Sequence, residues 1–164
     1  MSLPLILKLL HVFAAIWLIT GLIGRNLILS MAGRSTSVQQ LQVMLPIGTI
    51  FEKRMVIPGS TAVLLAGLIT AWAQGWPILG FLQGGASNWV LVSLLLFLTI
   101  FPLIRFVFLP RAKIFEAALK ESAARDVITP ELTAALHDPA VRAGHLYEIV
   151  LLVVIVSLMV LKPF

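Results

Sequence analysis

The chain has 164 residues, of which 60% are hydrophobic and only 12% charged, with a mean hydropathy of +1.05 and a formal net charge of +5. Too little polar area remains to cover a soluble domain of this size, so the composition points to a membrane protein. The absence of cysteine excludes disulfides, thiolate metal sites, iron–sulfur clusters and cysteine nucleophiles.

Four apolar runs, residues 5–29, 55–73, 89–109 and 146–161, approach or exceed the length of a helical crossing, at about 20 residues per span. They predict an all-α fold: an integral membrane four-helix transmembrane bundle, one domain over 1–164, because an open sheet cannot satisfy its edge groups in hydrocarbon. The first run precedes Ser30-Met31-Ala32, which loosely imitates a signal-peptide cleavage site. It lacks a basic flank before it and is too long for a signal core, so it is expected to stay as helix one. Gly33-Arg34-Ser35-Thr36-Ser37 reads as a turn with a helix cap, followed by a short amphipathic stretch over 38–54. Helix two, 55–73, has Pro58 and Gly59 in its first turns, where a missing backbone donor is least harmful. The Gly- and Pro-containing loop 74–88 carries no charge. Helix three, 89–109, holds Pro102 in its interior and should kink there. After it, 111–125 alternates apolar and charged residues as a short amphipathic helical segment at the cytoplasmic face would. Thr129-Pro130 and Asp138-Pro139 each place a capping side chain before a proline, so a short helix starts at 130 and helix four runs over 139–161. Gly21, Gly24, Ala62, Ala66 and Gly67 would let helices one and two approach closely.

Lys and Arg concentrate in the first and third loops and their flanks. The positive-inside rule then makes those loops cytoplasmic and both termini external. Trp72, Trp76 and Trp89 flank the uncharged loop, as an interfacial aromatic belt does. A pI near 10.3 is accounted for by basic residues facing an anionic leaflet, with no motif for nucleic acid. Expected partners are thus the bilayer, anionic lipids at the cytoplasmic face, and further copies or a larger membrane complex.

His11 stands about two turns inside helix one. An ionisable residue at that depth is costly, and two roles compete: an interhelical hydrogen bond, or ligation of haem iron, for which imidazole and Met side chains are suited. A His11 haem would take Met159 as a second ligand or stay five-coordinate, with Arg25 and Arg105 as candidates for the propionates. A second polar layer collects near the cytoplasmic ends: Arg25, Glu52, Arg54, Arg105, Arg142, His145 and Glu148. Arg142, His145 and Glu148 recur every three residues and share a helix face. This layer could bind an anionic group or carry protons, or could consist of mutually paired interfacial charges.

Lys8-Leu9-Leu10-His11 with Trp17 and Gly21, Phe51-Glu52-Lys53-Arg54 before a Pro-Gly helix, and Tyr147-Glu148 leading to Leu158-Met159-Val160-Leu161-Lys162-Pro163 together resemble the DUF 2269 family of uncharacterised bacterial integral membrane proteins. At greater distance the Lys8 to His11 opening is similar to CopD-type copper-resistance membrane proteins. The opening and the Glu148 to Lys162-Pro163-Phe164 close are similar to HemJ-type protoporphyrinogen oxidases, which carry haem b. That resemblance implies a related scaffold and His11 as an axial haem ligand. Ser93 departs from a Lys of the HemJ-type pattern, and Tyr147 from an Asn. The function expected is a haem-b-binding redox or porphyrin-handling membrane protein; the alternative is a non-enzymatic accessory or stabilising subunit.

Overall fold

A computed structural model describes residues 2–164. The described residues form helices and turns with no strand, and four helical rods are long and apolar enough to cross a membrane: Leu3–Ala32, Val38–Ala73, Trp89–Arg125 and Pro130–Leu161. The first rod is α1 (Leu3–Ala32), 30 residues or about 45 Å long, so it projects beyond a hydrocarbon core of about 30 Å. Ser37 caps the second rod by accepting from the Gln40 amide, as its sequence context predicts. That rod comprises α2 (Val38–Phe51), a π turn (Glu52–Val56) and α3 (Ile57–Ala73). The stretch over 38–54 is therefore continuous with helix two, which begins far earlier than its apolar run. The third rod comprises α4 (Trp89–Leu98), α5 (Ile100–Leu103), a second π turn (Ile104–Phe108) and α6 (Leu109–Arg125). It too outruns its predicted end. α7 (Pro130–Leu136) and α8 (Pro139–Leu161) complete the chain, with Thr129 accepting from the Leu132 amide and Asp138 from those of Ala140 and Val141.

Both π turns stop two residues before a proline, Pro58 and Pro110. A proline has no N–H for the carbonyl four residues back, and the ladder there widens to the five-residue spacing. The Ile57 amide accordingly donates to the Glu52 carbonyl, and the Leu109 amide to that of Ile104. Pro102 acts as expected of an interior proline: the helix is interrupted at Thr99, three residues before it.

The buried positions of α1, namely Ala14, Leu18, Gly21, Leu22, Arg25 and Ala32, follow one helical stripe, which the almost uniformly apolar sequence hides. α1 lies against the second rod through its glycines. A Cβ on Gly21 would fall 2.6 Å from Met55 Cβ, one on Gly24 would enter the Phe51 ring, and one on Gly59 would fall 3.1 Å from Leu18 Cα. The third and fourth rods pair likewise, with Gly144 of α8 under the Phe108 ring. The molecule is thus two helical hairpins. Leu152 of α8 bridges them at a layer of Leu18, Leu22 and Val56, and Met159 at a layer of Ala71, Trp89 and Val90.

At the end bearing the charged loops, here the basic end, Ala32, Leu41, Ala118 and Leu132 form a small core joining α1, α2, α6 and α7. The buried Ser122 hydroxyl accepts from the Thr129 amide at 3.1 Å and lies 2.9 Å from the Thr129 hydroxyl, fixing the turn into α7. The amphipathic segment after helix three is therefore folded over the start of α2. At the opposite end, Trp76 and Trp89 meet edge to face, and Lys162 Nζ lies 4.7 and 5.3 Å from their ring centroids.

Gly21→Val should destabilise the bundle by about 1–3 kcal/mol, because the added methyls meet backbone as well as Met55. Gly33→Ala, at a position with helical φ of −63° and ordinary contact distances, should leave the detergent melting temperature nearly unchanged.

Candidate functional site

Four of the charged residues singled out in the sequence converge where the two hairpins meet at the basic end. Arg25 sits one turn beyond Leu22 on the buried stripe of α1 and is only 6% exposed. Its Nη1 donates to Glu52 Oε2 at 2.7 Å, and its Nη2 donates to Glu148 Oε2. Glu52 is half-buried at the start of the first π turn, and Glu148 is buried at 5% exposure on α8. His145, one turn before Glu148, places Nδ1 3.0 Å from Glu148 Oε2 and 3.1 Å from Arg25 Nη2. The other wall of the imidazole is Phe108 of the second π turn, stacked at 4.8 Å between centroids with 24° between planes. Each π turn thus delivers one side chain to the cluster.

A single guanidinium stands among two carboxylates and an imidazole. Glu52, His145 and Glu148 would be plausible metal ligands by type. Arg25 occupies the position between them, and among the described residues no trio of His, Asp or Glu is arranged for a metal ion. The arrangement pairs these charges with one another where the two hairpins meet. Two donors remain without partners, Arg25 Nε and Asn26 Nδ2.

Arg54, Arg105 and Arg142 do not join the cluster; all three are exposed. Arg142 shares a rim with Pro139, Ala143 and Leu146 around a shallow surface depression. The three-residue spacing that grouped Arg142 with His145 and Glu148 holds along α8, yet Arg142 lies a turn beyond the level of Arg25.

His11 continues the buried stripe of α1 and faces helix two, where its ring fills the space over Gly67: a Cβ there would fall 2.9 Å from the His11 ring. Its Nδ1 is buried without a hydrogen-bond partner, as is the hydroxyl of Thr70 one turn along from Gly67. Met159 packs on the Ala71, Trp89 and Val90 layer. Arg25, fourteen residues along the same helix, is about 21 Å from His11. The set His11, Met159, Arg25 and Arg105 therefore does not fit a haem. The ring meant to bind iron is closed against Gly67, one arginine is spent on two carboxylates near the other end of the span, and the other is exposed.

The family model described as "Predicted integral membrane protein (DUF2269)" matches residues 5–163. The chain belongs to the DUF2269 family. This DUF2269 protein is accordingly an integral membrane protein, and the four apolar rods are its candidate spans. No curated protein and no solved structure matches it.

Sequence reasoning named the members of the cluster but missed Phe108, the wall against which His145 lies. Its signal is weak: an aromatic two residues before Pro110, opposite a glycine that adjoins a histidine. Thr70 was missed as well, since a threonine in a span ordinarily bonds back to its own helix.

Arg25→Ala should destabilise the protein by about 3–5 kcal/mol, read as a fall in the detergent melting temperature, because it leaves two carboxylates uncompensated. Arg25→Met combined with Glu148→Leu should recover most of the loss, and Arg105→Ala should change little.

Proposed function

We propose that this protein is a non-enzymatic membrane bundle, an accessory or stabilising subunit of a larger membrane assembly, rather than a haem carrier. The observation that carries the reading is the use made of Arg25. Both terminal nitrogens of Arg25, the one deeply buried cation among the described residues, are bound to Glu52 and Glu148 of its own chain, so this anion-binding group holds the hairpins together. The packing of His11 onto Gly67 supports the same conclusion at the other polar site. The exposed Arg54, Arg105 and Arg142 suit contact with anionic lipid headgroups at the basic end, taken on this reading as the cytoplasmic side.

One observation favours a second reading, ligation of haem b by His11: its Nδ1 is buried and unpartnered, which leaves a lone pair or an N–H without compensation. Oxidised and dithionite-reduced absorption spectra of detergent-purified protein from haem-replete cells separate the two. The bundle reading expects a colourless, folded protein and no spectral difference in His11→Ala. A Soret band present in the wild type and lost in His11→Ala at equal yield would overturn it in favour of haem ligation.

A further inference from the structure

We infer that the outer face of α2 is a pairing surface for a second copy of this chain, the two copies standing side by side in the same membrane. The inference does not rest on the subunit reading, because a bundle with or without a further partner can pair in this way.

α2 carries no charge in its 14 residues. Its inner face is occupied: Phe51 lies against Gly24 and Gly48 against Ile28 of α1, while Leu41 and Leu45 enter the small core with α6 and α7. The opposite face is bare. Val43, Ile47 and Ile50 are 67%, 40% and 55% exposed. At about 100° per residue these three share one side of the helix, roughly half a turn from Leu41 and Gly48.

Lipid does not reach all of this face. The exposed Lys53 and Arg54 directly follow α2 and mark the headgroup level on the second rod. At about 1.5 Å per residue Val43 stands about 15 Å beyond Lys53, whereas the headgroup layer on one side of a bilayer is only about 5–7 Å deep. The far part of the face therefore meets water unless protein covers it. An exposed apolar strip of this kind marks a protein contact.

The pattern of the strip selects a second copy as the occupant. Gln40, Val43, Ile47 and Ile50 recur at intervals of three, four and three residues, the spacing of a seam between two parallel helices. Copies inserted with the same orientation bring equal residues to equal heights about an axis along the membrane normal, which is that parallel arrangement. A strip without charge does not repel its own copy and offers no ion pair to a charged partner. Gln40 is also complementary to itself. Its Oε1 accepts from the Ser35 hydroxyl at 2.9 Å and keeps a second lone pair, which the Nε2–H of the other copy's amide can fill. Gln39, by contrast, is bound to Asp126 and holds α2 to the turn after α6.

The area is sufficient. Farther along the second rod Leu65, Ile69 and Trp72 are exposed on the side of α3 turned away from α1, where exchanging lipid for protein costs little. With Val43, Ile47 and Ile50 their exposed parts come to roughly 700 Å² per copy, close to the about 800 Å² per partner of a stable interface.

The chain has no cysteine, so single-cysteine variants of the full-length protein report one position each. Val43→Cys, Ile47→Cys and Ile50→Cys are compared with Gln42→Cys and Thr49→Cys, which are exposed but lie more than a quarter turn off the seam. After oxidation of isolated membranes with copper phenanthroline, the seam variants should give a disulfide-linked product of twice the monomer mass, in at least about fivefold higher yield than the two controls. Adding Ile47→Glu to Val43→Cys sets two carboxylates against each other in the seam and should lower that yield by at least about fivefold, with the detergent melting temperature nearly unchanged. Absence of the linked dimer at all three seam positions, or equal linkage at Gln42→Cys and Thr49→Cys, would overturn the proposal even if the glutamate variant fails to fold. A seam product of another mass would assign the face to a different protein and overturn self-pairing. Linkage unchanged by Ile47→Glu in a folded protein would show chance collision and overturn it as well.

Discussion

The structure depends on one buried guanidinium. Within lipid, apolar side chains gain nothing by leaving the solvent for one another, so helices associate through close packing and polar bonds. Glycine contacts supply the close packing inside each hairpin, where Gly21, Gly24 and Gly59 bring α1 onto the second rod and Gly144 brings α8 onto the third. Between the hairpins the apolar contacts are those of Leu152, of Met159 and of the small core at the basic end, and the buried polar ones converge on Arg25. A buried ion pair gives little net stability compared with apolar packing, but a mismatched register would leave charges unpaired, and that cost selects one arrangement of the two hairpins.

The prolines shape the same place. Pro58 and Pro110 each open a π turn just before them, and these turns carry Glu52 and Phe108 to opposite sides of the cluster. An ordinary helical ladder through either segment would rotate these side chains by about 100° per residue of shift. A local backbone constraint, the missing N–H of proline, is in this way connected to the placement of a carboxylate beside Arg25 and an aromatic face beside His145.

The two ends differ in construction. At the tryptophan end, Lys162 lies over Trp76 and Trp89, and the Phe164 carbonyl accepts from the Asn88 and Trp89 amides, so the close of the chain covers the start of the third rod. The basic end instead carries a small polar-rimmed core from α2, α6 and α7, held by the Ser122 and Thr129 hydroxyls. His11 lies between these regions, beyond the apolar layer that separates it from Arg25. The two polar sites proposed from the sequence as one haem environment are thus separate chemical compartments on one helix.

The sequence by itself determined that the chain is an all-helical membrane protein with four spans, because composition and run length depend on nothing but residue type and the thickness of hydrocarbon. It also fixed the starts of α2, α7 and α8, since Ser37, Thr129 and Asp138 cap through bonds to amides two to three residues away. Helix ends were less legible: residues 38–54 and 111–125 read as amphipathic segments separate from the spans, yet they extend their rods because helix propagation continues into water when a further face is packed. Tertiary structure alone decided which polar residues meet. Arg25, Glu52 and Glu148 look in the sequence no different from Arg54, Arg105 and Arg142. An apolar span conceals its buried stripe, and the contact partners lie up to 123 residues apart.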